Sequence, residues 1–145
     1  MSIATNKQLV RRFVREVFEL GDEGAVDELL SARFTSHTWA NMAPGTEGLK
    51  QAMRRIATGL SKVHMHMEDL IAEDDKVAVR LTARAVQSGP FMGLPASNKA
   101  YSIAEIHIFR IEGGRIAEHW HVADMLGLMQ QLGALPKPGS GARKS

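Results

Sequence analysis

The stretch GGRIAEHWHVADMLGLMQQLG, Gly113 to Gly133, decides how this chain folds. Its two leading glycines supply the positive φ angles of a tight hairpin turn. A strand follows from Arg115 to about Val122, and then a helix carrying Met125, Leu126, Leu128, Met129 and Leu132, which stops at Gly133. His119 and His121 are two residues apart on the strand, so their side chains leave one face, while Glu118 and Trp120 leave the other. Glu118, His119, His121 and Asp124 bring proton-handling side chains together within this strand and the start of the helix.

Upstream of the turn, residues from about Lys99 to Ile111 form the partner strand. Tyr101, Ile103, Glu105, His107, Phe109 and Ile111 share one face of it. Regular pairing across a two-residue loop sets His107 opposite Trp120. Either a bulge shifts that register, or His107 and His121 do not share a face.

Further out, Val77, Val79, Leu81, Ala83 and Ala85 alternate with Ala78, Arg80, Thr82 and Arg84, a second strand. Before it, Val63, Met65 and Met67 alternate with His64, His66 and Glu68, a third. Helical periodicity governs the amino-terminal part. Leu9, Val10, Phe13, Val14, Val17 and Phe18 form one apolar stripe, with Thr5-x-x-Gln8 as its capping box and Gly21 as its stop. Asp22 caps a short helix with Val26, Leu29 and Leu30. Phe34 to Thr38 reads as a short extended piece. A third helix opens at Gly45 or Thr46, with Leu49, Met53, Ile56 and Leu60 on its stripe. Three helices, about four antiparallel strands and a terminal helix make an α+β fold: a curved antiparallel sheet wrapped around helices, with one concave cavity. One domain is expected over residues 1–133, with a flexible proline- and glycine-rich tail over 134–145.

Composition narrows the function. A net charge of +2 in 145 residues, with no basic helix interleaved with aromatics, gives no sign of a nucleic-acid partner. Cysteine is absent, which excludes disulfides and thiol catalysis. The start, MSIATNKQ, lacks a signal-peptide pattern, and no apolar run reaches the roughly 18 residues of a membrane span. A soluble cytoplasmic protein is the expectation. His119-x-His121 with His107, His64 or His66 offers ligands for zinc or iron, but no motif-grade third ligand, so no metal is expected. Histidine does suit proton transfer, because its unperturbed pKa is about 6.5.

With these residues in view, Asn6 to Gly133 resembles the SnoaL-like polyketide cyclases of the NTF2-like superfamily, α+β barrels. The pieces that carry the resemblance are the first helix, Phe34 to His37, Gly45-Thr46-Glu47-Gly48, Glu68-Asp69-Leu70-Ile71, Lys76 to Arg80, the GPFMGLP loop Gly89–Pro95, and the opening stretch. The resemblance implies a cofactor-independent intramolecular aldol cyclisation of an apolar, carbonyl-bearing small molecule. It also implies a homo-oligomer, a dimer through the outer face of the sheet. In the family an acid/base aspartate follows the tryptophan of the last strand; here that position is His121. The family's histidine on the preceding strand carries over to His107, and a second acidic position to Asp124.

The catalytic candidates are therefore His121 as base, His107 as hydrogen-bond donor to the oxyanion, and Asp124, which also sits where a helix N-cap belongs. His37, Trp39, Tyr101, Glu105, His119, Phe91 and Met53 are candidates to line the substrate site. The shared pocket that the resemblance implies predicts a bulge in the last strand or its partner. A non-catalytic binding or dimerisation module is the alternative, as is a hydrolase, isomerase or hydroxylase on the same fold.

Overall fold

The computed structural model describes residues 2–38 and 42–136; Trp39 and most of the expected tail lie outside the described residues. Helix α1 (Ile3–Phe13) begins at Ser2, whose hydroxyl accepts from the Thr5 amide. The Thr5-x-x-Gln8 box expected as the cap lies instead inside the helix. Ser2 is equally able to accept from an amide three residues on, and it sits one turn earlier. After Phe13 the helix widens into a π-helical segment, Val14–Glu19, and ends before Gly21, whose φ of +67° closes it. Helix α2 (Glu23–Leu29) has the predicted cap: the Asp22 carboxylate accepts from the amides of Gly24 and Ala25. Helix α3 spans Gly45–Gly59 and α4 spans Met125–Gln131.

The strands are β1 (Leu30–Ser36), β2 (Leu60–Glu73), β3 (Lys76–Gln87), β4 (Ala100–Glu112) and β5 (Arg115–Ala123). They form one sheet in the order β1-β5-β4-β3-β2. Four strands are antiparallel, as expected. The extended piece around Phe34 is a correction: it is longer and pairs parallel to β5, giving a five-stranded mixed sheet. That sheet is curved but not closed, because β1 and β2 are its two edges. Val10, Phe13, Val26, Leu29, Phe34, Leu81 and Phe109, all nearly solvent-free, fill the space between helices and the concave face.

The hairpin between β4 and β5 turns at Gly113 and Gly114, both with positive φ. Ile111 pairs with Ile116, but Arg110 pairs with Glu118, so Ala117 is an extra residue in β5. This is the predicted bulge, and it moves the register by one. His107 now faces His121, and Phe109 faces His119. Because the side-chain period of a strand is two, that shift places all three histidines on the concave face.

A second constraint shapes the open end of that face. The carbonyl of Gly59 accepts from the Gly89 amide at 3.1 Å. A Cβ at Gly89 would stand 2.1 Å from the Thr58 carbonyl oxygen, so glycine is what permits this approach. The loop that follows turns back at Met92 and Gly93, and Phe91 and Leu94 bridge. Buried Gln87 holds it, giving its amide hydrogens to the carbonyls of Leu94 and Pro95.

Candidate active site

The helices and the concave face enclose a cavity of about 680 Å³. Its walls are mostly apolar: Val17 and Phe18 from the π-helical segment, Met53 and Ile56 from α3, Phe91 from the loop, and Leu128 from α4. The π-helical segment turns Phe18 over the sheet, where its ring lies 5.0 Å from that of His107. Polarity is concentrated on β4 and β5, in Tyr101, Glu105, His107 and His121, with Thr38 beside them. Thr38 clamps the end of β5, since its hydroxyl donates to the His121 carbonyl at 3.1 Å and accepts from the His121 amide at 2.7 Å.

The polar side chains form one hydrogen-bonded chain. Glu105 Oε1 lies 2.8 Å from His107 Nε2, His107 Nδ1 lies 2.8 Å from His119 Nε2, and His119 Nδ1 lies 3.0 Å from Ser36 Oγ. With Glu105 as a carboxylate, every donor can point the same way. His107 donates Nε2–H to Glu105 and accepts at Nδ1, His119 donates Nε2–H and accepts at Nδ1, and the serine hydroxyl begins the chain. Register explains how Ser36 takes part: β1 runs parallel to β5 with Ser36 beside His119.

Burial sets the charge of two of the histidines, His119 and His121. His119 is wholly buried, and desolvation, reinforced by His107 and then by His121 and His37, pushes its pKa down to about 2. Desolvation, followed by His107, pushes His121 down to about 4, with Glu105 acting in the opposite direction. Both are neutral imidazoles at neutral pH. Burial first, and the charge of Glu105 second, push the Tyr101 phenol up to about 12, which keeps its proton.

One nitrogen from each of His107, His119 and His121 lies within 4.8 Å of the others. The rings are inclined by 7° for His107 with His121, 27° for His107 with His119, and 21° for His119 with His121, and His107 and His119 meet edge to edge through their nitrogens. A metal binds in the plane of each imidazole at about 2.0–2.1 Å. The facing nitrogens of His107 and His119 already bond to each other at 2.8 Å, so a metal would have to displace that bond.

The remaining predicted residues fall into two groups. Met53 and Phe91 line the cavity with Tyr101 and Glu105. His119 sits behind His107, within the core. Asp124 caps α4, its carboxylate accepting from the Gly127 amide at 2.9 Å, and it is not among the cavity-lining residues. His37 stands on the opposite side of the sheet, stacked on Trp120 and 2.6 Å from Glu118. Parity along β1 is the reason: with Ser36 turned inward to His119, the next residue turns outward. Ser36, Thr38 and Phe18 were not singled out in the sequence. Ser36 is 83 residues from its partner, and no local pattern marks it.

An open curved sheet packed on helices, with an apolar cavity and a polar patch on its two central strands, defines a small-molecule-binding α+β protein of the NTF2-like kind. Within that class the chain belongs to the SnoaL-like polyketide cyclase family, whose model matches residues 8–132. It is 28% identical over 136 residues to aklanonic acid methyl ester cyclase DnrD of Streptomyces peucetius, covering 90% of this chain and 92% of that one. It is 28% identical over 130 residues to the aklanonic acid methyl ester cyclase DauD of Streptomyces sp. (strain C5), covering 83% and 79%. The structure of TsrD from Streptomyces laurentii superposes with a TM-score of 0.86 at 36% identity, covering 93% of this chain and 99% of that one.

Proposed function

We propose that this protein is a cofactor-independent cyclase that closes a ring in an apolar, carbonyl-bearing small molecule by acid/base catalysis of an intramolecular aldol reaction. The observation that carries the reading is a polar patch on the two central strands, Tyr101, Glu105, His107 and His121, set in a mostly apolar cavity of about 680 Å³. Aldol closure needs a proton taken from carbon beside a carbonyl and a negative oxygen stabilised as the new bond forms. Both are favoured where water is excluded and donors are already aimed.

His121 handles the proton on the oxygen side. As a neutral imidazole it can donate a hydrogen bond to the substrate carbonyl without the cost of a buried charge, and that bond strengthens as the oxygen becomes negative. A pKa near 4 makes it a weak base toward carbon, the role expected from sequence. Tyr101, which keeps its proton, is a second donor in the same cavity. His107 has both nitrogens engaged, so its part is to hold Glu105 and to stack on His121. Asp124 serves by starting α4, which brings Leu128 to the cavity wall.

A second copy of the chain is the proposed partner, through the outer face of the sheet. Ile71, Ala78, Ile108 and Trp120 lie in one cross-strand row there, and Arg80, Ile106 and Val122 in the next. Ile71, Ile106, Ile108 and Val122 are exposed, as an apolar surface awaiting a partner would be.

The direct test is ring closure of aklanonic acid methyl ester by the purified protein, followed by mass spectrometry and absorbance. Conversion above the uncatalysed rate supports the reading. Tight binding of the ester without conversion would favour a binding module instead.

A further inference from the structure

We propose that Glu105 is the base that takes the proton from carbon, and that Ser36, His119 and His107 form a hydrogen-bond chain that aims it. The inference rests on the carbon-acid reading above and names the group that this reading leaves open.

Glu105 is the carboxylate best placed for the task. It lines the cavity, its side chain is 16% exposed, and only Oε1 is hydrogen-bonded among the described residues. Oε2 is left to meet a substrate. The other carboxylates near the cavity are occupied. Glu19 accepts from the Met65 amide at 2.8 Å and pairs with Arg15, and Asp124 caps α4. The position that carries an acid/base aspartate in the resembling enzymes is His121, which lies opposite His107; Glu105 is two residues along the same face of β4.

Geometry also says what the chain does. A hydrogen bond from a fixed donor holds a carboxylate in one orientation. His107 gives that bond, and its orientation is fixed by His119, whose orientation is fixed in turn by Ser36. His119 is wholly buried, which keeps water from breaking the series. Other ionisable groups face Glu105 as well. They are Tyr101 on its own strand, His121 from β5, Glu19 from the π-helical segment and Lys62 from β2. The nearest residue on β3, Leu81, is apolar, and α3 and α4 bring only apolar side chains such as Met53, Ile56 and Leu128.

In the step itself, Glu105 takes the proton from the carbon beside a carbonyl. The electron pair of that C–H bond forms the new C–C bond to a second carbonyl carbon, whose C=O π electrons move onto oxygen. His121 donates a hydrogen bond to that alkoxide, and the proton held on Glu105 returns to it. The carboxylate is regenerated and no other reactant is consumed.

The natural substrate is not needed for the test. With 5-nitrobenzisoxazole, a carboxylate in an apolar cavity removes the proton on carbon 3. The N–O bond breaks as the nitrile forms, and the coloured phenolate carries away the charge. We expect the protein to accelerate this reaction, with a rate that rises with pH through one ionisation and then levels. Glu105→Gln should lower kcat/KM at least about 100-fold, with melting temperature and amide NMR spectrum little changed, and Glu105→Asp should recover part of the loss. Ser36→Ala should lower kcat/KM with melting temperature little changed, and Ser36→Thr, which keeps the hydroxyl, should restore it; a merely structural serine would lower the melting temperature and leave kcat/KM in place. Wild-type protein no faster than free acetate, or Glu105→Gln as fast as wild type, overturns Glu105 as base. An undiminished kcat/KM in Ser36→Ala overturns the chain. Acceleration here without closure of aklanonic acid methyl ester removes that ester as substrate and leaves Glu105 standing. Closure of the ester undiminished in Glu105→Gln does the reverse.

Discussion

His107 and His121 lie directly opposite one another on β4 and β5, their rings stacked 4.8 Å apart and 7° from parallel. One stands behind the polar patch with both nitrogens engaged. The other faces the cavity as a neutral imidazole. Under the proposed mechanism the first orients and the second meets the substrate.

His121→Ala should reduce turnover of a cyclised substrate by about 100-fold or more, in the range seen when a transition-state donor is removed. Binding should weaken far less. Steady-state kinetics check this, with kcat falling while KM stays within a few-fold. Unchanged kcat would exclude His121 from the chemistry.

Acid should destabilise the protein early. His119 and His121 have folded-state pKa values below the ordinary one of about 6.5. The unfolded chain therefore binds more protons, and stability falls as pH drops below about 6.5, by up to about 1.4 kcal/mol per pH unit for each group that titrates only when unfolded. His121 stops contributing near pH 4, where its folded form also protonates. Urea midpoints measured from pH 7 to 4 should fall steadily, and His121→Phe should make the slope shallower. A flat profile over that range contradicts the assignment of neutral buried histidines.

Gly89→Ala should cost about 1–3 kcal/mol, as overpacking against backbone does. The added methyl group meets the Thr58 carbonyl oxygen at 2.1 Å, and neither side is a flexible side chain. Denaturant unfolding gives the cost. Because Phe91 follows two residues later and lines the cavity, ligand affinity should weaken with it.

Phe109→Ala should be the more damaging change, at about 3–5 kcal/mol. Phe109 is fully buried, its ring 5.3 Å from that of Phe13 and 5.0 Å from that of His119. Calorimetry would register the loss, and the His119 imidazole NMR signals should shift because the ring that packs on it is gone.

Light scattering on the wild type should report a dimer. Val122→Lys combined with Ile106→Glu places two charges on adjacent positions of the outer face and should shift the mass toward monomer without lowering helix and strand content. A monomeric wild type would remove the sheet-face partner.

Much of the architecture was legible because burial leaves a period in the sequence. The stripe from Leu9 to Phe18, the alternation of β3 and β4, the Asp22 cap and the Gly113–Gly114 turn each rest on a local rule. Strand β1 was read short because LSARFTS is an edge with only Leu30 and Phe34 buried, so its alternation is faint. The π-helical segment left no sign, since its apolar spacing also fits an ordinary helix. At the site, the shared face of His107 and Glu105 followed from parity alone. The convergence of His107 with His121 required the bulge, which parity could not supply and family resemblance did. Ser36 could not be found at all: its role depends on a parallel pairing between segments 83 residues apart. His37 was misplaced to the cavity side by that same unseen pairing.

The extra residue at Ala117 carries a lesson for aligning relatives of this chain. Ile116 keeps Ile111 as its partner and Glu118 keeps Arg110, so a homologue lacking one residue here could form the same ladder without a bulge and present the same inward side chains. Counting forward from the glycine turn would then misassign every position beyond the bulge by one. Counting back from Asp124, whose place at the start of α4 is fixed by its cap, would not. In this family the far end of the strand, not its hairpin, is the safe origin for transferring a residue's role from one sequence to another.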